Sequence, residues 1–165
     1  MPQNDHALLI RLKDSGLPFV VIGGLCVIYH GVPVATFDLD ICCPFGEENV
    51  KLIEKAVQDL HPVHRLTANK LPMELTRDSF AELKNVYLQT DLGKLDCLGE
   101  VAGIGDFTQV LKNSISHSMS FGEFRMLSLD ALIAAKAAAG RGKDMEAVRL
   151  LQAVKERKEQ ELNLF

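Results

Sequence analysis

The hydrophobic positions of the chain follow the 3.6-residue period of a helix in several segments. In residues 5–14, Leu8, Leu9 and Leu12 share one helical face, and Gly16 supplies a helix stop. The same reasoning predicts further helices over residues 25–30, 49–60, 78–83, 107–112, 129–139 and 144–157.

Short apolar or alternating runs predict strands between these helices. The predicted strands are residues 18–22, 38–43, 63–66, 85–90, 94–98 and 121–127. The runs 85–90 and 94–98 are separated by Asp91-Leu92-Gly93, which is a hairpin signature. Because helices interleave with strands that include a hairpin, we expect an α/β (α+β) protein with a mixed sheet flanked by helices.

The length of 165 residues fits a single domain, residues 1–165. We expect its core over about residues 15–100 and a mainly helical C-terminal part over about residues 101–165. Hydrophobic residues make up 47% of the chain, which is enough to form a core without a disulfide or a structural metal. The four cysteines lack Cys-x-x-Cys spacing, so a zinc site is not expected.

Charge and hydropathy indicate a cytoplasmic protein without a membrane segment. The net charge is −4, so the chain as a whole does not attract a polyanion such as nucleic acid. The N-terminus has Asp5 and His6 where a secretory signal has basic residues. The apolar run over residues 17–29 is interrupted by proline and glycine and is too short to span a bilayer.

The first candidate for chemistry is the pair Asp38 and Asp40, two residues apart on a predicted strand. Side chains at this spacing project from the same face, so both carboxylates point the same way. Two like charges held this close repel each other unless a proton or a cation neutralises them. Mg²⁺ commonly binds one or two carboxylates together with substrate phosphates. The pair therefore indicates a divalent-metal site, with a solvated strand end as the alternative.

Two further features accompany this pair. Gly23 and Gly24 lie where an apolar strand turns into a helix, and glycines there let a phosphate approach free backbone N–H groups. Asp96 lies in the middle of strand 94–98, a position that disfavours an isolated carboxylate. The alternative for Gly23 and Gly24 is an ordinary tight turn, and the alternative for Asp96 is a solvated sheet face or edge. Three carboxylates from two strands suit phosphoryl transfer, in which metal ions clamp the attacking and leaving oxygens.

Residues 23–41, GGLCVIYHGVPVATFDLDI, closely resemble the signature of the nucleotidyltransferase superfamily, which has the polymerase-β-like fold. Residues 90–96 resemble the strand that carries the third carboxylate of that family. The likeness extends into the C-terminal region through residues 132–136 and 140–144. It covers roughly residues 17–155 and is strongest to small bacterial members, including minimal nucleotidyltransferases and AbiEii-type toxins.

The resemblance implies an enzyme that transfers a nucleoside monophosphate from an NTP to a hydroxyl and releases pyrophosphate. By the same resemblance, Asp38 and Asp40 bind Mg²⁺ or Mn²⁺, and Asp96 helps to ligate one ion and activates the acceptor hydroxyl. Gly23 and Gly24 hold the triphosphate. The cations implied near the phosphates are Lys136, Arg141 and Lys143. The alternative for these cations is that they complement a helix dipole.

Two positions depart from the family pattern. Small members usually carry Arg where this chain has Val34, and often a polar or basic residue where it has Phe37. These departures leave open a non-catalytic binding or regulatory module, such as one half of a toxin–antitoxin pair with a cognate partner protein. A plain α/β protein with an incidental acidic strand is a third alternative. The sequence does not identify the NTP or the acceptor, which is a small molecule, a tRNA end or a protein hydroxyl.

Overall fold

The computed structural model describes residues 2–73 and 83–164, in which helices and strands alternate. The α-helices are Asp5–Ser15 (α1), Gly23–Tyr29 (α2), Glu47–Val57 (α3), Phe107–Lys112 (α4), Leu129–Ala139 (α5) and Gly142–Leu162 (α6). The strands are Val20–Ile22 (β1), Asp38–Cys42 (β2), Val63–His64 (β3), Asn85–Thr90 (β4), Gly93–Leu98 (β5), Glu100–Val101 (β6), Gly105–Asp106 (β7), Ser114–Met119 (β8) and Gly122–Leu127 (β9).

Seven of these strands form one mixed sheet in the order β3-β4-β5-β2-β1-β9-β8. The pairs β2–β5 and β1–β9 are parallel, whereas the other neighbours in this sheet are antiparallel. Strands β6 and β7 form a separate two-stranded ribbon. The mixed sheet with flanking helices confirms the predicted fold class.

Local sequence fixes where the helices next to the sheet begin and end. The side chain of Asn4 accepts a hydrogen bond from the Ala7 N–H at the start of α1, and Gly16 ends that helix in the left-handed conformation. The Ser128 side chain caps α5 in the same way, and Gly140 ends it. Helix α5 packs against α6, and α2 packs against β1 and β2. These caps fix the first and last residues of α1 and α5.

The core lies around the central strands. In β2, Leu39 and Ile41 are fully buried. Asp38 and Asp40 alternate with them and are only partly buried, as the two-residue period of a strand requires. Leu39 and Ile41 on one face of β2 therefore contribute to the core, and Asp38 and Asp40 on the other face line a cleft.

The structure differs from the predicted elements in several places. Helix α6 extends beyond the predicted span at both ends, and the predicted strand 63–66 is reduced to β3. Strands β6, β7 and β8 were not predicted. Strand β8 contains Ser114, Ser116, His117 and Ser118, and it lies at the edge of the sheet, so it lacks the hydrophobic alternation of a covered strand. The predicted helix 78–83 lies almost wholly outside the described residues.

None of the helices within residues 2–73 and 83–164 combines the length and the hydrophobicity needed to cross a membrane.

Candidate active site

Three carboxylates converge where β2 and β5 lie side by side. Asp38 and Asp40 come from β2, and Asp96 comes from β5, where it pairs in register with Asp40. One carboxylate oxygen from each residue lies within 4.8 Å of the other two. The parallel pairing of the two strands therefore brings together the three acidic residues that the sequence suggests.

The surroundings of Asp40 disfavour its charged form. Burial raises the pKa of Asp40, the charges of Asp38 and Asp96 raise it further, and a hydrogen bond with Asp96 adds to the effect. The charge of Lys136 opposes these effects, and the resulting pKa is about 7. The described protein groups therefore leave the carboxylate cluster short of positive charge, which is the condition under which a bound cation is favourable.

Glycine is required at both positions of the turn that faces these carboxylates. Gly23 follows β1 with φ +69°, and a Cβ atom added to it would lie 2.9 Å from Cγ of Asp40. A Cβ atom added to Gly24 would lie 2.8 Å from Oγ1 of Thr36. The sequence suggested these glycines as a phosphate-binding turn. The structure adds a packing reason, because they let the start of α2 approach Asp40 of β2 and Thr36 in the preceding loop.

Three cations lie on the opposite wall of the cleft, formed by α5 and α6. Lys136 Nζ lies 3.4 Å from Asp144 Oδ1, and Arg141 Nε donates to Asp144 Oδ2 at 2.6 Å. The side chain of Asp144 is only 1% exposed, so one buried carboxylate pairs with both cations. Burial alone would raise the pKa of Asp144, but the hydrogen bond from Arg141 and the charge of Lys136 lower it below its ordinary value. Lys143 also lines this wall.

The acidic and basic walls enclose one cleft of about 740 Å³. It is lined by all eight residues that sequence analysis singled out, namely Gly23, Gly24, Asp38, Asp40, Asp96, Lys136, Arg141 and Lys143. Val34 and Phe37 line it as well, and Phe37 is 74% exposed. The cleft thus combines an oxygen-rich cation site, a set of cations and an exposed aromatic ring.

Sequence analysis missed four charged residues of this cleft, namely Arg65, Glu100, Asp144 and Glu146. Arg65 forms a two-pronged ion pair with Asp96, in which Nε donates to Oδ1 at 3.2 Å and Nη2 donates to Oδ2. Asp144 pairs with Lys136 and Arg141. The predicted strand 63–66 includes Arg65, but the sequence carries no signal that places this residue beside Asp96. The position of Asp144 three residues after Arg141 could have indicated that it caps the helix.

The donor set fits a hard divalent cation. The carboxylates of Asp38, Asp40 and Asp96 offer oxygen atoms only, which Mg²⁺ and Mn²⁺ prefer over nitrogen or sulfur. The cysteines are all buried free thiols. These residues are therefore suited to a Mg²⁺ or Mn²⁺ ion.

Three solved structures share this fold. ANT(2")-Ia in complex with adenylyl-2"-tobramycin aligns with a TM-score of 0.59 and 19% identity over 96% of this chain and 91% of that chain. The lincosamide antibiotic adenylyltransferase LnuA, bound to lincomycin, aligns with a TM-score of 0.63 and 11% identity over 93% of this chain and 99% of its own. TM1012 from Thermotoga maritima aligns with a TM-score of 0.55 and 21% identity over 88% of each chain. At these identities the likeness establishes the fold alone.

Comparison with curated protein sequences gives no match. Residues 4–164 match the family described as "nucleotidyl transferase of unknown function" (DUF2204). The match covers almost the whole chain, including both walls of the cleft. The chain therefore belongs to this nucleotidyl transferase family.

Proposed function

We propose that the protein is a metal-dependent nucleotidyltransferase that moves a nucleoside monophosphate from an NTP to a hydroxyl of an acceptor. The observation that carries the proposal is the convergence of Asp38, Asp40 and Asp96 within 4.8 Å, opposite Lys136 and Arg141 in one cleft. A cation site facing a set of cations suits the triphosphate of an NTP, because the phosphates interact favourably with both. The acidic residues lie within positions 38–96 and the cations within 136–143, so one cleft draws on most of the chain, which supports treating residues 1–165 as one domain.

In this proposal the residues of the cleft have separate tasks. Asp38 and Asp40 hold a Mg²⁺ or Mn²⁺ ion, and Asp96 accepts the proton of the acceptor hydroxyl. The hydroxyl oxygen forms a bond to the α-phosphorus, the bond from that phosphorus to the bridging oxygen breaks, and pyrophosphate leaves. When bound, the ion stabilises the negative charge of the phosphates as a Lewis acid.

The other tasks belong to the turn and to the basic wall. The backbone at Gly23 and Gly24 lies against the triphosphate, since no side chain stands in the way. Lys136, Arg141 and Lys143 bind phosphate oxygens and stabilise the leaving pyrophosphate. Asp144 positions Lys136 and Arg141 through its ion pairs with them.

A small hydroxyl compound is the acceptor class that the comparisons favour over a tRNA end or a protein hydroxyl. Two of the solved structures with this fold hold small antibiotics or their adenylyl derivatives. The cleft of about 740 Å³ is within the size range of small-molecule sites.

Apolar side chains at two cleft positions favour one alternative. Val34 and Phe37 line the cleft where small members of the superfamily usually carry Arg and often a polar or basic residue. A non-catalytic binding or regulatory module with this fold, such as one half of a toxin–antitoxin pair, would not need a basic or polar side chain at these two positions.

Calorimetric titration of each NTP, with and without Mg²⁺, tests the proposal without knowledge of the acceptor. The test variant is Asp38→Asn/Asp40→Asn. The matched control is Asp14→Asn/Asp130→Asn, which removes the same charge from two exposed carboxylates outside the cleft. We expect Mg²⁺-dependent binding in the wild type and the control, and none in the test variant.

Absence of NTP binding by the folded wild-type protein would favour the non-catalytic module. Where binding is found, pyrophosphate release is measured with a panel of small hydroxyl compounds, with total tRNA and with the protein alone. Release that requires a hydroxyl compound or tRNA identifies that class as the acceptor. Release by the protein alone indicates a protein hydroxyl.

A further inference from the structure

The third carboxylate of the triad already has a positively charged partner. Both oxygens of Asp96 accept hydrogen bonds from the guanidinium of Arg65, through Nε and Nη2. Asp96 is 5% exposed and the Arg65 side chain is 20% exposed, so this ion pair lies largely out of water. Charge-assisted pairs with this two-pronged geometry are among the strongest that side chains form.

Two further contacts hold Arg65 in place. Its guanidinium carbon lies 5.5 Å from the centre of the Tyr87 ring, and its backbone N–H donates to the Tyr87 carbonyl at 3.0 Å. Tyr87 is in register with Asp96, which is in register with Asp40. Arg65 is therefore held by Tyr87 and Asp96, which lie beside Asp40 on the neighbouring strands β4, β5 and β2.

The charges of this cluster limit how many ions it can bind. Asp38, Asp40 and Asp96 together carry three negative charges when ionised, and Arg65 supplies one positive charge. A single divalent ion at Asp38 and Asp40 would complete neutralisation. A second ion at Asp96 would displace the guanidinium, which would then lie partly buried without its carboxylate partner.

We propose that Arg65 is a positioning residue that occupies Asp96 and restricts the nucleotide-free protein to one divalent ion, held by Asp38 and Asp40. The inference rests on the proposed function, because it concerns the ion that this function requires. Arg65 also fixes the orientation of Asp96 towards Asp40, where the proposed reaction needs a proton acceptor.

Mn²⁺ binding to the nucleotide-free protein, followed by electron paramagnetic resonance of the free ion, tests this role. The wild type is expected to bind one ion per chain. Arg65→Met removes the charge but keeps an unbranched apolar stem against Tyr87, and it is expected to bind a second ion. Arg65→Lys is expected to restore the one-ion stoichiometry, because an ammonium group still pairs with Asp96.

Two controls locate the effect. Arg11 forms a comparable two-pronged pair with Asp59, with distances of 2.6 and 2.9 Å, outside the cleft. Arg11→Met should therefore bind one ion, as the wild type does. Adding Asp96→Asn to Arg65→Met should abolish the second ion, because that ion depends on the Asp96 carboxylate.

The results separate failure of this inference from failure of the proposed function. Two ions in the wild type, or one ion in folded Arg65→Met, would overturn the role of Arg65 and leave the metal site intact. Absence of Mn²⁺ binding by the folded, nucleotide-free wild type would overturn the one-ion state assigned to Arg65. The proposed function would fail with it only if Mg²⁺-dependent NTP binding were absent as well, because substrate phosphates can complete the ion site. Circular dichroism monitors folding, and Arg65→Gln replaces Arg65→Met if the methionine variant does not fold, with the same expected second ion.

Discussion

Gly23 and Asp40 approach each other so closely that the glycine cannot carry a side chain without moving the carboxylate. A Cβ atom added to Gly23 would lie 2.9 Å from both Cβ and Cγ of Asp40. The backbone of Gly23 is also left-handed, with φ +69°, which costs other residues about 1–2 kcal/mol. The turn and the acidic strand therefore form one structural unit.

Gly23→Ala is expected to weaken Mn²⁺ and NTP binding by at least about tenfold, equivalent to about 1.4 kcal/mol. The expected cause is displacement of Asp40, and the free energy of unfolding should fall by about 1–2 kcal/mol from backbone strain. Gly142→Ala is the control, because an added Cβ atom there meets nothing within 4 Å. Calorimetry and urea denaturation measure the two effects. Unchanged binding in Gly23→Ala would contradict this account of the turn.

The pairing of Asp144 with two cations predicts a loss of stability and of nucleotide affinity together. Asp144→Ala leaves Lys136 and Arg141 without their buried partner. We expect a loss of about 2–3 kcal/mol in the free energy of unfolding, below the usual range for a buried pair because Arg141 is 61% exposed. NTP affinity should fall in the same variant.

An exposed carboxylate provides the control for this change. Asp130 pairs with Lys155 at 2.9 Å, and its side chain is 74% exposed, so Asp130→Ala should cost at most about 1 kcal/mol. Urea denaturation measures the free energy of unfolding of both variants. Equal losses would show that the ion pairs of Asp144 stabilise the protein no more than an exposed ion pair does.

The exposed ring of Phe37 predicts an effect on binding without an effect on stability. Phe37→Ala should change the free energy of unfolding by less than about 0.5 kcal/mol, because the ring is 74% exposed. A nucleotide base that stacks on this ring would lose about 1–3 kcal/mol in the variant, so NTP binding should weaken by roughly tenfold. Phe37→Tyr, which keeps a ring, should bind as the wild type does. Calorimetry that shows equal affinity for the alanine variant would exclude stacking on Phe37.

His30 predicts a stability that depends on pH. Its Nε2 lies 2.8 Å from the carbonyl oxygen of Leu127, and the residue is 6% exposed. Burial lowers the pKa of His30 and the charges of Lys158 and His117 add to this, while the hydrogen bond with Leu127 opposes it. Because the unfolded state binds the proton more readily, the stability from neutral His30 is present above about pH 6.5 and falls below it.

His30→Gln should cost about 1 kcal/mol at about pH 7.5, and this cost should shrink at about pH 5.5. Urea denaturation of the wild type and the variant at both pH values gives the comparison. A cost that is the same at both values would show that His30 does not titrate differently in the folded and unfolded states.

Much of the fold and most of the site residues could be predicted from the sequence because their signals are local. The two-residue alternation in β2 separates buried Leu39 and Ile41 from Asp38 and Asp40, and the same alternation indicated that Asp96 lies within a strand. Helix α5 was predicted with both ends correct, since Ser128 and Gly140 are strong helix-capping residues. The roles assigned to the site residues stay predictions until the binding experiments are done.

Arg65 and β8 could not be predicted, for two different reasons. Arg65 lies 31 residues before Asp96 in the sequence and next to the short edge strand β3, so no periodic pattern links the two. The edge strand β8 is formed through its pairing with β9, and most of its side chains remain partly or fully exposed. Asp144 resembles any acidic residue in the first turn of a helix, and only the packing of α5 against α6 buries it.

The parallel pairing of β1 with β9 has a consequence for how the protein folds. Val20 is in register with Arg125, so the pair closes a loop of about a hundred residues. High contact order of this kind slows folding, because chain entropy is lost before the pairing stabilises the sheet. During synthesis the segment with Asp38 and Asp40 emerges from the ribosome well before the one with Lys136 and Arg141. A nascent chain therefore carries the acidic wall without its cationic counterpart, and the complete cleft forms only once the C-terminal helices have been translated.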